Sequence, residues 1–177
     1  MDTLKGETCP VCLQKTLTLL EDEKDVPYFG KVYLFSMQCD NKDCDFKQSD
    51  VEAEEEKNPV RITFTTTTEK DMNIRVIKSA AATVHLPALK MSVEPGAVAE
   101  GYITNIEGLL QRFEEVLKQE KNNEEDEKAA TTAKNLLKKI WKIKLGDIPL
   151  KIIIEDPTGN SAIITPKAIT EPLKKKK

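Results

Sequence analysis

Residues 152–164 read IIIEDPTGNSAII, and the rest of the chain is best interpreted outward from this stretch. Two β-branched apolar runs flank a turn sequence, which predicts a strand, a tight turn and a second strand. Pro157 sets φ for the turn and Gly159 can take a positive φ, while Asp156 and Asn160 can hydrogen-bond to their own backbone. The residues alone leave two interpretations open: a turn between buried strands, or a loop presented to a partner.

The overall composition bounds the class of protein. The chain has 177 residues, of which 39% are hydrophobic and 32% are charged, and its formal net charge is −3. These values are typical of a globular protein with a charged surface, and so mild a charge does not indicate a nucleic-acid-binding protein. The basic stretch is local, because Lys174 to Lys177 form a lysine run at the end. Such a run is typical of a solvated tail.

The sequence predicts a cytoplasmic protein. No stretch has the length of apolar residues that crosses a bilayer, and the opening residues MDTLKGETCPVC contain no apolar signal region. We therefore expect a reducing compartment, in which cysteines act as metal ligands more often than they form disulfides.

Four cysteines predict a structural metal site. Cys9-Pro-Val-Cys12 is followed downstream by Cys39 and Cys44. A Cys-x-x-Cys knuckle brings two sulfurs to one side of a tetrahedral zinc ion, and a second pair closes the site to water. A strand-like run at 32–37 carries the second pair back to the first. This layout predicts a zinc ribbon that holds one Zn²⁺.

The second cysteine pair departs from the usual knuckle. Cys39 and Cys44 are separated by four residues instead of two, and Leu13 and Asp45 stand where glycine often follows a ribbon knuckle. Because glycine favours the left-handed turn of a knuckle, we expect local strain at Leu13. A redox dithiol at Cys9 and Cys12, or plain buried cysteines, are the alternatives, although no βαβ pattern surrounds the dithiol.

The region after the ribbon predicts a mainly β domain. Residues 61–68, 72–79, 82–86 and 91–93 are interpreted as short strands separated by Pro and Gly. Closely spaced short strands are typical of a β-sandwich or a partly open barrel. The single histidine, His85, lies in one of these strands, and we interpret it as a partly buried, hydrogen-bonded residue.

Two helices interrupt the strand pattern. Apolar residues from Ile106 to Leu117 follow helical spacing, with Thr104 or Asn105 as the candidate cap. A second helix is predicted from about residue 124 to 144, with Trp141 on its packed side. We expect this helical hairpin to be inserted between strands that pair in one sheet. The predicted organisation is a ribbon at 1–50, a connector at 51–59, a β-domain at 60–170 with its hairpin at about 105–144, and a basic tail at 171–177.

Several stretches together resemble the ZPR-type zinc-finger family. They are the Cys9–Cys12 knuckle, DMNIRVIKS at 71–79, HLPALKMSVEPG at 85–96, EGYITNIEGLL at 100–110 and EDPTGNSAII at 155–164. The chain resembles the short, archaeal-type members with one ribbon and one following domain. The resemblance implies a β-sandwich or double-stranded β-helix domain with an inserted helical hairpin, and it supports the four cysteines as zinc ligands.

The resemblance also implies a function. Eukaryotic relatives engage translation elongation factor one alpha and act as its folding chaperone, which implies a protein-binding role here. The family pattern makes the following residues signature positions and candidate partner contacts: Glu107, Gly108, Asp156, Pro157, Gly159, Asn160 and Ser161. We expect residues 107–108 and 156–161 to be neighbours that either bind the partner or lock the hairpin onto the sheet.

Two other functions stay open. The first is a nucleic-acid-binding ribbon of transcription or translation, which the acidic residues of the ribbon and connector disfavour because they repel phosphate. The second is an enzyme that uses Asp156, Glu107 and His85 as acid and base groups, although no activated nucleophile or phosphate-binding loop is present. We therefore expect a non-enzymatic module with no small-molecule substrate and no membrane contact.

Overall fold

A computed structural model of the chain describes residues 2–26, 30–54, 57–96, 99–121 and 127–173. The strands are β1 (Asp2–Glu7), β2 (Leu17–Val26), β3 (Gly30–Cys39), β4 (Lys47–Ala53), β5 (Val60–Thr66), β6 (Arg75–Lys78), β7 (Thr83–Leu86), β8 (Met91–Val93), β9 (Tyr102–Asn105), β10 (Leu150–Asp156), β11 (Ala162–Ile163) and β12 (Ile169–Pro172). The helices are α1 (Ile106–Lys121) and α2 (Glu127–Lys144), and short 3₁₀ turns span Glu69–Asn73 and Pro87–Leu89.

Three antiparallel sheets organise the described strands. The N-terminal sheet has the order β1-β2-β3-β4, and the other two have the orders β12-β5-β10-β7-β8 and β11-β6-β9. Strand β10 pairs with both β5 and β7, which lie on the other side of the two helices in sequence. This pairing confirms that the helices are inserted between strands of one sheet. The chain is therefore mainly β with two helices.

Alternation along β10 explains why this strand lies at the centre of the main core. Ile152 and Ile154 are fully buried and face inward, whereas Lys151 between Leu150 and Ile152 is exposed. They join one hydrophobic cluster with Phe64 of β5 and with apolar residues of α1 and α2. The inner face of α1 is the predicted one except for Val116, which is 51% exposed. The Oδ1 of Asn105 accepts from the Gly108 N–H at 2.8 Å, which caps the helix.

The turn at 156–161 connects two sheets. It joins β10 of the five-stranded sheet to β11 of the three-stranded sheet, which pairs with β6. The sequence predicted a strand, a turn and a strand, and the order of elements agrees. The two strands do not pair with each other, because β11 aligns with β6 instead.

Two interpretations of the sequence are wrong. Residues 72–79 do not form one strand: the Asp71 carboxylate accepts from the N–H groups of Thr67 and Thr68 and holds a 3₁₀ turn, so β6 begins only at Arg75. Trp141 is 60% exposed, since Ile140 and Ile143 take the inner face of α2. One residue advances a helix by about 100°, which turns Trp141 toward solvent.

The boundaries of the ribbon sheet and of the helices can be compared with the predicted ones. Strand β4 continues to Ala53, beyond the predicted end of the ribbon at residue 50, and residues 55–56 of the predicted connector lie outside the described part. The hairpin helices span 106–121 and 127–144. The predicted lysine tail at 174–177 also lies outside the described residues. None of the described helices has the length and apolarity needed to cross a membrane.

Candidate metal centre and signature turn

The ends of the ribbon strands bring the four cysteines together. Cys9 and Cys12 lie in the loop between β1 and β2, Cys39 ends β3, and Cys44 lies in the following loop. The N–H of Asp40 donates to the carbonyl of Thr16 at 2.8 Å, which joins the two loops. All four sulfurs lie within 4.8 Å of one another, and all four thiols are free.

The geometry of the sulfurs fits one zinc ion. Cys9 Sγ lies 3.8 Å from Cys44 Sγ, and Cys12 Sγ lies 3.7 Å from Cys39 Sγ. A tetrahedron with Zn–S bonds of about 2.3 Å places its sulfurs about 3.8 Å apart. Three of the cysteines are buried, so the donor set is closed, as in structural sites. These residues would hold a single Zn²⁺, which supplies folding energy to the ribbon when bound.

The first knuckle has the backbone that a metal site requires. The Leu13 N–H donates to the Cys9 carbonyl at 3.0 Å, and Leu13 has a φ of 59°. This left-handed conformation confirms the strain that we expected where glycine is absent. A backbone hydrogen bond from Gln14 lowers the pKa of Cys12 to about 6 and outweighs the opposing effect of burial. Although a backbone hydrogen bond from Phe46 lowers it, burial and the other three cysteines raise the pKa of Cys44 to about 12, so the four thiols differ in how readily they ionise.

An asparagine turn accommodates the wide spacing of the second pair. The Cys44 N–H donates to the Asn41 carbonyl at 3.0 Å, and the Asp43 N–H donates to Asn41 Oδ1 at 3.2 Å. The extra residues therefore form a closed turn that returns Cys44 to Cys39. Asp45 does not have a positive φ, so it does not carry the backbone strain found at Leu13.

Thr16 is a neighbour of the cysteine cluster that the sequence did not indicate. Its Oγ1 lies 3.2 Å from Cys39 Sγ and 3.9 Å from Cys12 Sγ. A hydroxyl that donates to a thiolate fixes the ligand and stabilises its charge, as outer partners do at metal sites. Its position four residues after Cys12 was visible in the sequence. A threonine at that spacing is not specific enough to indicate a contact with a metal ligand.

The signature turn, residues 156–161, is built around a buried carboxylate. Asp156 is fully buried, and its Oδ2 accepts from Ser79 Oγ at 2.9 Å and from Ser161 Oγ. Its Oδ1 accepts from the N–H and the hydroxyl of Thr158 at 2.8 and 2.7 Å. The four hydrogen bonds satisfy the charge inside the protein. Asp156 therefore ties the end of β10 to the residue that follows β6.

The other signature positions differ in exposure. Ser161 is 3% exposed, so it offers a partner no more surface than Asp156 does. Gly159 has a φ of +75°, and a Cβ there would collide with the Asn58 carbonyl oxygen. Asn160 is half-buried and its Oδ1 accepts from the Ala53 N–H at 3.2 Å. Pro157 is exposed, and its role as a partner contact stays a prediction.

The second signature stretch begins helix α1. Glu107 is exposed in the first turn, where a negative charge complements the helix dipole. A Cβ on Gly108 would collide with the side-chain oxygen Thr104 Oγ1, so a larger residue here would require that hydroxyl to move. The Ile106 N–H donates to the Ile74 carbonyl at the start of β6, whereas Ser161 bonds to Ser79 at its other end. The expected proximity of the two stretches is therefore wrong, because β6 separates them.

The acid and base groups considered for an enzyme do not converge. His85 Nε2 lies 3.5 Å from Glu155 Oε2, and Arg61 contacts the same carboxylate. Successive side chains of a strand face opposite sides, so Glu155 faces outward and Asp156 faces the interior. His85 is partly buried, as the sequence predicted, and its predicted hydrogen bond stays a prediction.

Together, these features define a class: a closed four-cysteine ribbon joined to a two-sheet β domain with a helical hairpin. A model of the ZPR1 jelly-roll domain matches residues 70–176, more than half of the chain. The chain belongs to the ZPR1 family. The resemblance seen in the sequence is thereby confirmed, and so is the predicted fold of a zinc ribbon followed by a β-sandwich.

Known relatives extend the match across the ribbon. A ZPR1-like protein of Pyrococcus horikoshii is 39% identical over 171 residues, which cover 94% of this chain and 76% of that protein. A ZPR1-like protein of Methanocaldococcus jannaschii is 35% identical over 93% of this chain and 82% of its own length. The zinc finger chaperone zpr1 of Schizosaccharomyces pombe is 32% identical over 142 residues, which are 78% of this chain and 30% of that protein. The family supports a zinc-finger protein with a protein-interaction role.

Proposed function

We propose that this chain binds the homologue of translation elongation factor one alpha in its own cell and assists the folding of that factor. One observation carries the proposal: the similarity to a protein named a zinc finger chaperone extends over 78% of this chain. The choice of the elongation factor as the partner rests on the resemblance to the family. The cytoplasm, where such a factor is made, is the proposed location.

Exposed apolar side chains support a protein partner. Val11 and Leu13 are 64% and 75% exposed in the zinc knuckle, and Trp141 is 60% exposed on α2. Tryptophan is enriched among the residues that dominate the energy of protein interfaces. A metal-ordered knuckle also presents its apolar residues at little cost in conformational entropy.

The proposed role requires binding and no chemistry by this chain. Asp156 is committed to four hydrogen bonds inside the signature turn, and Glu155 pairs with Arg61 and His85. Asp156 and His85 are two of the three groups that the sequence offered for catalysis, and the third, Glu107, is exposed in the first turn of α1. Nucleotide dependence of the interaction is expected to come from the partner.

A binding titration tests the proposal. The zinc-loaded chain is titrated with the elongation factor homologue, once nucleotide-free and once GTP-loaded, and zinc per chain is measured on the same sample. We expect binding whose affinity depends on the nucleotide state. Absence of binding in both states, at one zinc per chain, would overturn the proposal.

Two variants locate the contact. Trp141→Ala is expected to weaken binding more than tenfold if the tryptophan is a central contact, whereas Trp141→Phe retains most of the affinity. Leu13→Gly removes a side chain but keeps the left-handed backbone of the knuckle, so its zinc content serves as its own control. Unchanged affinity in both Trp141→Ala and Leu13→Gly would exclude these surfaces as the contact.

A nucleic acid is the second candidate partner, because one observation favours it. The exposed side of α2 carries Lys134, Lys138 and Lys142 beside Trp141, and a basic surface with an aromatic residue suits a single strand. RNA binding would show a steep salt dependence, with a slope of roughly −0.7 per phosphate contact. Binding that is insensitive to salt would exclude this candidate.

A further inference from the structure

The ribbon is packed against the jelly roll through a shared apolar cluster. Val26, Val32 and Val51 of the ribbon sheet are buried against Ile77 of β6. Ile103 and the residues around β11 pack on the same cluster. The three-stranded sheet β11-β6-β9 therefore has the ribbon on one side, and the two units share buried surface in addition to their covalent link.

Polar contacts cross the same boundary. Asp50 Oδ1, on β4 of the ribbon, accepts from the Ala80 N–H at 2.7 Å, just beyond the end of β6. The Gly101 N–H donates to the Ser49 carbonyl at 2.8 Å, and the Ser49 hydroxyl donates back to the Gly101 carbonyl at 3.1 Å. A Cβ on Gly101 would collide with Asp50 Oδ1, so this close approach requires glycine.

The signature turn contacts the same segment from the other side. The Ser79 N–H donates to Ser161 Oγ at 3.0 Å, and Ser79 Oγ donates to Asp156. Ser79 is therefore held by the turn, while its neighbour Ala80 is held by the ribbon. Asn160 of the turn also accepts directly from the Ala53 N–H of β4.

A buried lysine completes this junction. Lys78 is 3% exposed, and its Nζ donates to the carbonyls of Ser79 and Glu100 at 2.9 and 3.3 Å. Burial lowers the pKa of Lys78, and the charges of Asp156 and Asp50 oppose that shift without cancelling it. One carboxylate comes from the ribbon and the other from the signature turn, so both units act on the same buried amine.

We propose that the junction of Asp50, Ser79–Ala80 and the signature turn couples zinc binding in the ribbon to the structure of the jelly roll. A ribbon of this kind takes its folding energy from the metal. When zinc is removed, β4 loses its fixed position and Asp50 releases Ala80. The end of β6 and the signature turn then open more often. By linkage, the factor by which zinc stabilises the closed junction is also the factor by which the closed junction raises zinc affinity. Weakening the junction from the jelly-roll side therefore lowers zinc affinity.

Hydrogen exchange on the unmodified full chain tests the first half. The Ala80 amide is expected to exchange about tenfold faster after zinc is removed with a chelator, because its acceptor belongs to the ribbon. The Leu150 amide, which donates to Thr66 Oγ1 in the jelly-roll core, is the internal reference and is expected to keep its rate. Equal Ala80 rates with and without zinc would overturn the proposal.

Zinc competition against a chelator tests the second half. Asn160→Ala changes the jelly-roll side, touches no cysteine, and is expected to lower zinc affinity about fivefold to tenfold. Asp50→Ala is expected to do the same from the ribbon side. Lys151→Ala, an exposed change on β10, is the matched control and is expected to bind zinc as the unmodified chain does.

The two variants separate coupling from a local effect. A loss of zinc affinity in Asp50→Ala with none in Asn160→Ala would mean that Asp50 acts only within the ribbon, and the proposal would fail. A loss in both, with Lys151→Ala unchanged, supports it. If a variant does not fold, the exchange measurement on the unmodified chain still decides the question.

Discussion

The ribbon and the jelly roll achieve a stable fold by different means. Around the cysteines the buried cluster of the ribbon consists of Cys9, Leu17, Cys39 and Cys44, whereas twenty buried hydrophobic residues form the main cluster of the jelly roll among the described residues. Small units with little apolar core depend on a metal or on disulfides. We therefore expect the ribbon to require zinc in order to fold, whereas the jelly roll depends on the burial of its apolar residues.

Loss of a ligand is the change with the largest expected effect. Cys39→Ser should abolish a binding free energy of about 10 kcal/mol or more, because a structural zinc site needs all four ligands. In a proton–nitrogen NMR spectrum, the amides of Val32 and Val51 are expected to lose their dispersion, while that of Phe64 keeps it. Ser36→Ala on the same strand is the control. Collapse of the whole spectrum would show that the two regions do not differ in this way.

A core truncation in the jelly roll is the converse change. Phe64 is 2% exposed on β5, and Phe64→Ala is expected to cost about 3–5 kcal/mol of unfolding free energy through lost burial and a cavity. Urea unfolding, followed by the circular dichroism of the two helices, measures it. Thr63→Ala, on the opposite face of the strand, should cost less than about 1 kcal/mol. A similar loss in both variants would contradict a core built on burial.

The predictability of the two regions differs in the same way. Cys9 and Cys12 could be assigned from spacing alone, because the requirements of a zinc knuckle are local in sequence. The partners of Asp156 could not be assigned, because Ser79 is distant in sequence. The residues of the turn predict the turn itself, but they do not predict which sheet the next strand joins. Trp141 was misplaced because a helical apolar stripe defines a face only to within about one residue. Features that depend on neighbouring residues could be predicted from the sequence, whereas contacts between distant segments could not.

Acid should lower the unfolding free energy of the jelly roll through protonation of the Asp71 carboxylate. Hydrogen bonds from the backbone of Thr67 and Thr68, together with Lys167, lower the pKa of Asp71 from 3.8 to about 2. A depressed carboxylate pKa stabilises the fold above the unfolded pKa, by about 2 kcal/mol, and this contribution is lost as the pH falls from about 4 to about 2. Asp71→Asn is therefore expected to be less stable by this amount at neutral pH.

Urea unfolding across this pH range checks the prediction. The difference between Asp71→Asn and the unmodified chain should shrink as the pH falls below about 4. The signal is the circular dichroism of the helices, which belong to the jelly roll, since thiol protonation releases zinc from the ribbon in acid. Asp147→Asn changes an exposed carboxylate and is the control. A difference that does not vary with pH would rule out this role for Asp71.

The smallest expected effect compares one strained residue from each region. Leu13 of the knuckle and Lys90 of the jelly roll have φ values of 59° and 53°, and both side chains are exposed. A left-handed conformation costs a residue with a Cβ about 1–2 kcal/mol, and the extra freedom of glycine in the unfolded chain offsets about half of any gain. Leu13→Gly and Lys90→Gly should therefore each stabilise their own region by up to about 1 kcal/mol.

The readout distinguishes the regions. Because the ribbon depends on its metal, the gain in Leu13→Gly should appear as severalfold tighter zinc binding in a chelator competition, with little change in jelly-roll unfolding. The gain in Lys90→Gly should appear in urea unfolding, with zinc affinity unchanged. Stabilisation of global jelly-roll unfolding by Leu13→Gly would mean that the knuckle and the jelly roll unfold as one cooperative unit, which goes beyond the local opening proposed at the junction. The division between a metal-dependent region and a burial-dependent region would then have to be abandoned, whatever the outcome for Lys90.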